Sequence, residues 1–387
     1  MNKKSITLII IIILIAGAIY YLEQGKVHPI NIPKNQADQQ PMPSSEKADS
    51  VDMPPMPEVD KQQKPPFKDG KYPLAPELVG ITGYINTPEG TKISDFEGKV
   101  VLVDFWTYSC INCIRTLPHL VAWDKKYRDK GLVIIGVHTP EFEFEKDRQN
   151  LINAMKKYGI EYIVVQDNNY ATWQNYKNRF WPRKYLIDKD GYIRYDHIGE
   201  GAYDETEKKI QELLAEIDPS VLNENLTGLA DMTPTIQTTP ELYVGSDYAL
   251  PRGQNIGNSG GLQPGKVIDY SLPSTLEKDI IYLGGKWLSN SDNLESKGSG
   301  SIVLEFTASS LNIVADAVDK PVEMEVMVDG KYLSGDQAGS DVQFDGEKSY
   351  VLVDEPRLYN VVSDDLMKSK LELKVPEGFT FNAFTFG

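Results

Sequence analysis

Val100 to Pro118, VVLVDFWTYSCINCIRTLP, is the stretch whose reading decides the fold. Val100 to Phe105 is a short β-branched and aromatic run broken only by Asp104, the pattern of a strand buried on both faces. From Cys113 onward the period changes: Ile114, Leu117, Leu120 and Val121 recur at helical spacing, so Cys110 falls at or just before a helix N-terminus. Unpaired backbone N–H groups and the helix dipole favour a thiolate there. Cys110 therefore reads as a nucleophile and Cys113, one turn further in, as the resolving thiol.

Other uses of two cysteines fit less well. Zinc takes about four ligands, and the chain has two cysteines and four histidines, His28, His119, His138 and His197, none at ligand spacing with the pair. A structural disulfide across two residues closes too small a loop to stabilise much. The expected site thus has no metal and no cofactor beyond the redox-active Cys110–Cys113 disulfide itself.

Asp104 six residues before Cys110, Phe105-Trp106 after it and Pro118 five residues past Cys113 together resemble the thioredoxin active-site region. That resemblance implies that Asp104 is a buried proton acceptor for Cys113 and that Pro118 kinks the helix. The intervening Ile111-Asn112 replaces thioredoxin's Gly-Pro, which leaves the direction of electron flow open. A thiol peroxidase is the sharpest enzymatic rival, because Thr107 sits three before Cys110 as in the peroxiredoxin motif, although Val103 stands where that motif has proline.

The length of 387 residues suggests two domains plus appendages. A net charge of −16 argues against nucleic acid as a partner, since phosphate demands basic surface. Lys3 and Lys4 precede an apolar run, Ile6 to Leu22, that reaches the lower limit for a membrane span. Residues 1–22 are expected to be an uncleaved signal anchor in the cell membrane, with everything after Leu22 on the extracytoplasmic side; a cleaved signal peptide with Ala16-Gly17-Ala18 as its small-residue site is the competing reading. Residues 23–75, rich in Pro, Gln, Lys, Asp and Ser, read as a disordered tether.

Residues 76–218 alternate strand and helix patterns, Ile81 to Asn86, Gly131 to Val137, roughly Phe144 to Tyr158, Glu161 to Val165 and Lys184 to Asp188, as an α/β fold with parallel strands does. The approach to the cysteines, Ile93 to Val100, resembles extracytoplasmic thioredoxins of the TlpA and ResA type. In those a glutamate near the end of the second strand helps proton traffic; Glu141 matches it, while the reading of these glutamates as solvated first-turn residues stays open. Pro182 matches the superfamily's cis-proline, and Trp106, Trp181 and Pro182 are the residues expected to meet the substrate, by strand addition at the backbone of Trp181.

A polar linker is expected at 219–240. From 241 to 387 short alternating runs separated by Gly, Ser and Asp predict an antiparallel sandwich with no chemistry of its own. Thr239 to Gly245, Arg357-Leu-Tyr359 and the terminal Ala383 to Gly387 resemble the C-terminal module of DipZ-type proteins, which join a thioredoxin-like domain to a jelly roll similar to carbohydrate-binding modules. The resemblance implies a glycan as a possible ligand, with Trp287, Tyr282 and Tyr359 as a stacking platform unless they are core. It also implies a separate membrane electron donor of the CcdA or DsbD kind. The expected protein is an α/β thioredoxin-like domain followed by an all-β jelly-roll sandwich on an N-terminal transmembrane anchor. Its expected activity is reduction of protein disulfides, and the non-enzymatic alternative is a glycan-binding adhesion protein.

Overall fold

The computed structural model describes residues 64–387. The expected anchor at 1–22 and most of the tether at 23–75 lie outside these residues. Among the described residues no helix is long and apolar enough to cross a membrane. The last part of the tether departs from expectation: Phe67–Lys68 pairs with Tyr72–Pro73 in a short antiparallel hairpin. Lys68 Nζ lies 2.8 Å from Asp188 and 2.7 Å from Asp190. The reason is charge. The Asp188 carboxylate is fully buried at the end of a strand, and Lys68 and Arg194 supply the cations it needs.

Six strands make the first sheet: β1 (Gly83–Ile85), β2 (Val100–Trp106), β3 (Leu132–His138), β4 (Ile163–Gln166), β5 (Arg183–Ile187) and β6 (Ile193–Ile198), in the order β1-β4-β3-β2-β5-β6. β2, β3 and β4 run parallel, whereas β1, β5 and β6 are each antiparallel to a neighbour. All seven residues of β2 are buried because both faces are covered. Leu102 and Trp106 join Leu117, Leu120 and Trp123 of α1 (Ile111–Tyr127) in one core, while Val101, Val103 and Phe105 join Ile135, Val137 and Tyr185 in another. The second helix, α2 (Arg148–Tyr158), begins four residues later than its apolar pattern predicts. Asp147 caps it, accepting the N–H groups of Gln149 and Asn150, and Glu143–Lys146 instead form a 3₁₀ turn. A short α3 (Ala171–Asn175) precedes β5, and α4 (Tyr203–Leu214) follows β6.

The C-terminal domain is an eleven-stranded antiparallel sheet around a single apolar core. Leu242–Tyr243 (β7) pairs with the last strand, Phe379–Phe386 (β10). Between them, Gly300–Ala317 (β8) and Arg357–Val375 (β9) pair along most of their length, with register shifts near Ser310 that bend both and let each serve two parts of the same core. Every residue of β10 is buried. Phe379, Phe381, Phe384 and Phe386 enter the domain core, and Ala383 turns the other way, toward the first domain.

The structure gives definite form to two stretches that the sequence described only loosely. The linker at 219–240 is pinned: Val221 is buried, Thr227 bonds Glu207 through both its N–H and its hydroxyl, and Thr239 donates to Asp279 and accepts from the N–H of Thr307. The aromatic residues offered as a sugar platform are core. Trp287, Tyr282 and Tyr359 are 0 %, 4 % and 0 % exposed, with the Trp287 indole donating to Gly284 O at 2.9 Å. We expect Trp287→Ala to lower the unfolding free energy of the chain by about 3–5 kcal/mol, the cost of a large core truncation, read as a shift in the urea midpoint.

Candidate active site

β2 ends at Trp106, and Thr107-Tyr108-Ser109 turn the chain into α1. Cys110 is its N-cap residue, half-buried, and Cys113 is fully buried one turn in. Burial first, then the neighbouring Cys110 sulfur and Asp104, push the Cys113 thiol well above the ordinary cysteine range. The resolving group therefore needs a base.

Asp104 is placed to be that base. Along β2 it shares the α1-facing side with Leu102 and Trp106, the face on which Cys113 sits. Neither of its carboxylate oxygens has a hydrogen-bond partner. Burial raises its carboxyl from 3.8 to about 7, against the pull of the Lys184 ammonium. Lys184 is directly opposite in the β2–β5 register and fully buried, its Nζ 3.3 Å from Gly199 O. Burial lowers the Lys184 pKa, while Asp104, Cys113 and Glu200 pull it upward. Tyr162, whose hydroxyl is buried without a partner, also feels the charges of Asp104 and Cys113. Gly136, the β3 partner of Asp104, leaves room for this layer: a Cβ there would stand 2.8 Å from Trp106 Nε1.

Trp106 is a correction. It is fully buried, edge-on to His138 with ring centroids 5.3 Å apart, and supports the cysteine loop from beneath with no surface to offer a substrate. Burial drives the His138 pKa down to about 3, so its ring is neutral; its Nε2 lies 3.4 Å from the Thr107 hydroxyl. The Trp181–Pro182 bond is cis and immediately precedes β5. Trp181 is half-buried, donates from Nε1 to Thr139 O at 3.0 Å and lies against Trp173, and its neighbour Phe180 is 46 % exposed. An apolar lip thus flanks the cis-proline.

Glu141 and Glu145, both in the segment after β3, occupy different places. Glu145 ties two loops together, accepting from Ser109 N–H at 3.2 Å and Ser109 Oγ at 2.6 Å with one oxygen, and from the N–H groups of Glu141 and Phe142 at 2.5 and 2.9 Å with the other. Ser109 is the residue before the nucleophile, so Glu145 fixes the turn. Glu141 instead points under the C-terminal domain. Its carboxyl accepts the Tyr243 hydroxyl at 2.9 Å and is raised to about 8 by burial, with Glu241 and Glu145 adding to the rise. The second domain also roofs the active-site helix: Ile111, Ile114, Phe144, Tyr243 and Tyr248 pack against a patch made of Phe142, Val314, Leu358 and Ala383. In the second turn of α1, Arg115 clasps Glu200 at 2.7 Å and the Asn112 side chain at 2.8 Å, securing the residues between the cysteines. Among the described residues no group of three His, Cys, Asp or Glu side chains is placed to hold a metal ion.

The Redoxin family profile matches residues 66–214, and a profile described as a thioredoxin like C-terminal domain matches 239–387. Protein DipZ of Mycobacterium tuberculosis is 38 % identical over 320 residues, 81 % of this chain and 43 % of that protein, so the chain spans less than half the length of that relative. Thiol-disulfide oxidoreductase ResA of Bacillus thuringiensis is 31 % identical over 34 % of this chain and 72 % of its own. Thiol-disulfide oxidoreductase YkuV of Bacillus subtilis is 28 % identical over 37 % of this chain and 95 % of its own.

Proposed function

Because the chain belongs to the thioredoxin-like redoxin family, in the company of ResA and DipZ, we propose that it is a thiol–disulfide oxidoreductase that reduces protein disulfides outside the cytoplasm. In this reading the Cys110 thiolate attacks one sulfur of a substrate disulfide, forming a mixed disulfide and releasing a substrate thiolate that takes up a proton. Cys113 then passes its proton to Asp104 and attacks Cys110 Sγ. The second substrate thiolate leaves, and two electrons have moved from the enzyme dithiol to the substrate. Trp181 and Pro182 hold the substrate backbone, and Phe180 meets its apolar side chains.

The observation that supports this most is the placement of Asp104 on the face of β2 that packs against the buried Cys113, near enough for its charge to act on that thiol and with no hydrogen-bond partner of its own, a carboxyl raised into the range where it exchanges protons near neutrality. Attachment to the cell membrane by Ile6 to Leu22 and reduction by a separate membrane electron donor of the CcdA or DsbD kind belong to the same proposal. A glycan receives less support. A groove of the C-terminal domain, about 1150 Å³, is lined by Gly284, Ser301, Glu323, Lys348, Glu372 and their neighbours, with no aromatic face for a sugar to stack on.

The direction of electron flow is tested by the equilibrium potential of the Cys110–Cys113 couple against glutathione or dithiothreitol. A reductase is expected to lie near the value of thioredoxin, about −270 mV, and a result near −120 mV would make the protein an oxidant instead.

A further inference from the structure

The C-terminal domain, read from sequence as chemically idle, places a phenol between two carboxyls at the edge of the redox site. Tyr243 Oη lies 2.9 Å from Glu141 Oε1 and 3.2 Å from Glu241 Oε2. Glu141 belongs to the loop after β3, whereas Tyr243 lies in β7, the first strand of the second domain, and Glu241 immediately precedes that strand. A hydroxyl has one proton to donate. It donates to one carboxylate, and its contact with the other is favourable only if that carboxyl carries a proton to donate in return. The arrangement therefore calls for one proton held over Glu141 and Glu241 together.

We infer that Tyr243 is a positioning residue of the redox site, its hydroxyl coupling Glu141 and Glu241 into a shared proton store that protonates the substrate thiolate released by the attack of Cys110. The inference rests on the oxidoreductase reading above and assigns its proton to a source. Atoms balance: the carboxyl pair loses one proton, the departing sulfur becomes a thiol, and the pair is recharged from solvent. The store lies next to the reacting sulfur's helix. Tyr243 packs with Ile111 on one apolar patch, and Glu241 is within the field of Arg115 in the second turn of α1.

The other groups facing the pair fix the sign of its response to pH. Arg252 stands 3.7 Å from Glu141 Oε1 with its guanidinium over the Tyr243 ring, and it favours the ionised form. Glu145 in the same loop disfavours it, and Tyr248 and Tyr170 close the surround with hydroxyls bonded to the backbone oxygens of Glu141 and Pro140. Burial and the Glu241 charge hold the Glu141 carboxyl up, at about 8, while the Tyr243 hydroxyl pulls it down.

The test compares two disulfides with the full chain, Tyr243→Phe and Glu241→Gln. Insulin releases an alkyl thiolate that needs a proton; 5,5′-dithiobis(2-nitrobenzoate) releases an aromatic thiolate that does not. Tyr243→Phe is expected to slow insulin reduction about tenfold, a fraction of a full general-acid contribution, and to leave the aromatic disulfide unchanged. On insulin the alkaline limb of the wild-type profile should move up in pH for Tyr243→Phe, which loses the donor that favours the carboxylate. It should move down for Glu241→Gln, which loses the charge that opposes it. Equal losses on both disulfides, or limbs that move together or not at all, overturn the inference while leaving the oxidoreductase intact. A wild-type chain inactive on both disulfides overturns the reading beneath it.

Discussion

Cys110→Ser is expected to reduce insulin no faster than dithiothreitol does alone, and Cys113→Ser to accumulate covalent adducts that only added thiol releases. The two outcomes differ because the two sulfurs differ in place. Cys110 caps α1 at a half-exposed position where an incoming disulfide finds it; Cys113 has no exposed surface. A serine hydroxyl at 110 is too weak a nucleophile to displace a thiolate near neutral pH, so no mixed disulfide forms. A serine at 113 leaves the first step intact and removes the second. The expected readout is a Cys113→Ser chain shifted on a non-reducing gel by the mass of its captured partner and restored by dithiothreitol. Adducts on Cys110→Ser at the level of Cys113→Ser would reverse the assignment of roles.

Asp104→Asn carries the second large effect, and it acts on activity and stability in opposite directions. Removing the base for Cys113 should slow resolution about 100-fold at pH 7, within the usual contribution of a positioned base. Stability follows from linkage. The carboxyl titrates at 3.8 when unfolded and at about 7 when folded. A raised acid value means that the folded state holds the proton more tightly, so the stability from this group is complete below about pH 4 and is lost as pH rises through 7. Three units are worth about 4 kcal/mol. The amide that replaces the carboxyl has no charge to bury, so the variant should be the more stable protein at pH 8, and the gap should close by pH 4. The gain is smaller than that ceiling because the Lys184 ammonium loses its counter-charge. Urea unfolding of both reduced chains from pH 4 to 8 measures it; a gap that does not depend on pH would remove the ionised Asp104 from the account.

How far the sequence reaches depends on whether a residue's partners are near it in the chain. β2 and α1 were legible because seven buried residues and a change of period are local signals, whereas Pro182 was placed by its resemblance to the superfamily's cis-proline. Trp106 was misplaced although its signal was present: alternation from Leu102 through Asp104 sets it on the inner face. Lys184 carried no such mark. A lysine opening a strand is ordinarily solvated, and only the register that sets it opposite Asp104 makes it part of the site. Glu241 and Tyr243 lie beyond a polar stretch, in a domain whose composition holds no nucleophile, and nothing local connects them to Glu141, about one hundred residues earlier. Glu145 was hidden by a shift of helix start, since the 3₁₀ turn ahead of α2 is what aims it back at Ser109.

The hairpin at 67–73 has one more consequence. Lys68 grips the turn beyond β5, and β5 runs antiparallel to β2, with Ile187 beside Val101 and Arg183 beside Phe105. The chain therefore enters the fold at the sheet pole where β2 begins, and the dithiol opens at the other pole, about 20 Å away along a seven-residue strand. The first described residues and the reactive sulfur thus lie at opposite ends of one strand, and an incoming disulfide meets Cys110 well away from the hairpin that Lys68 holds in place.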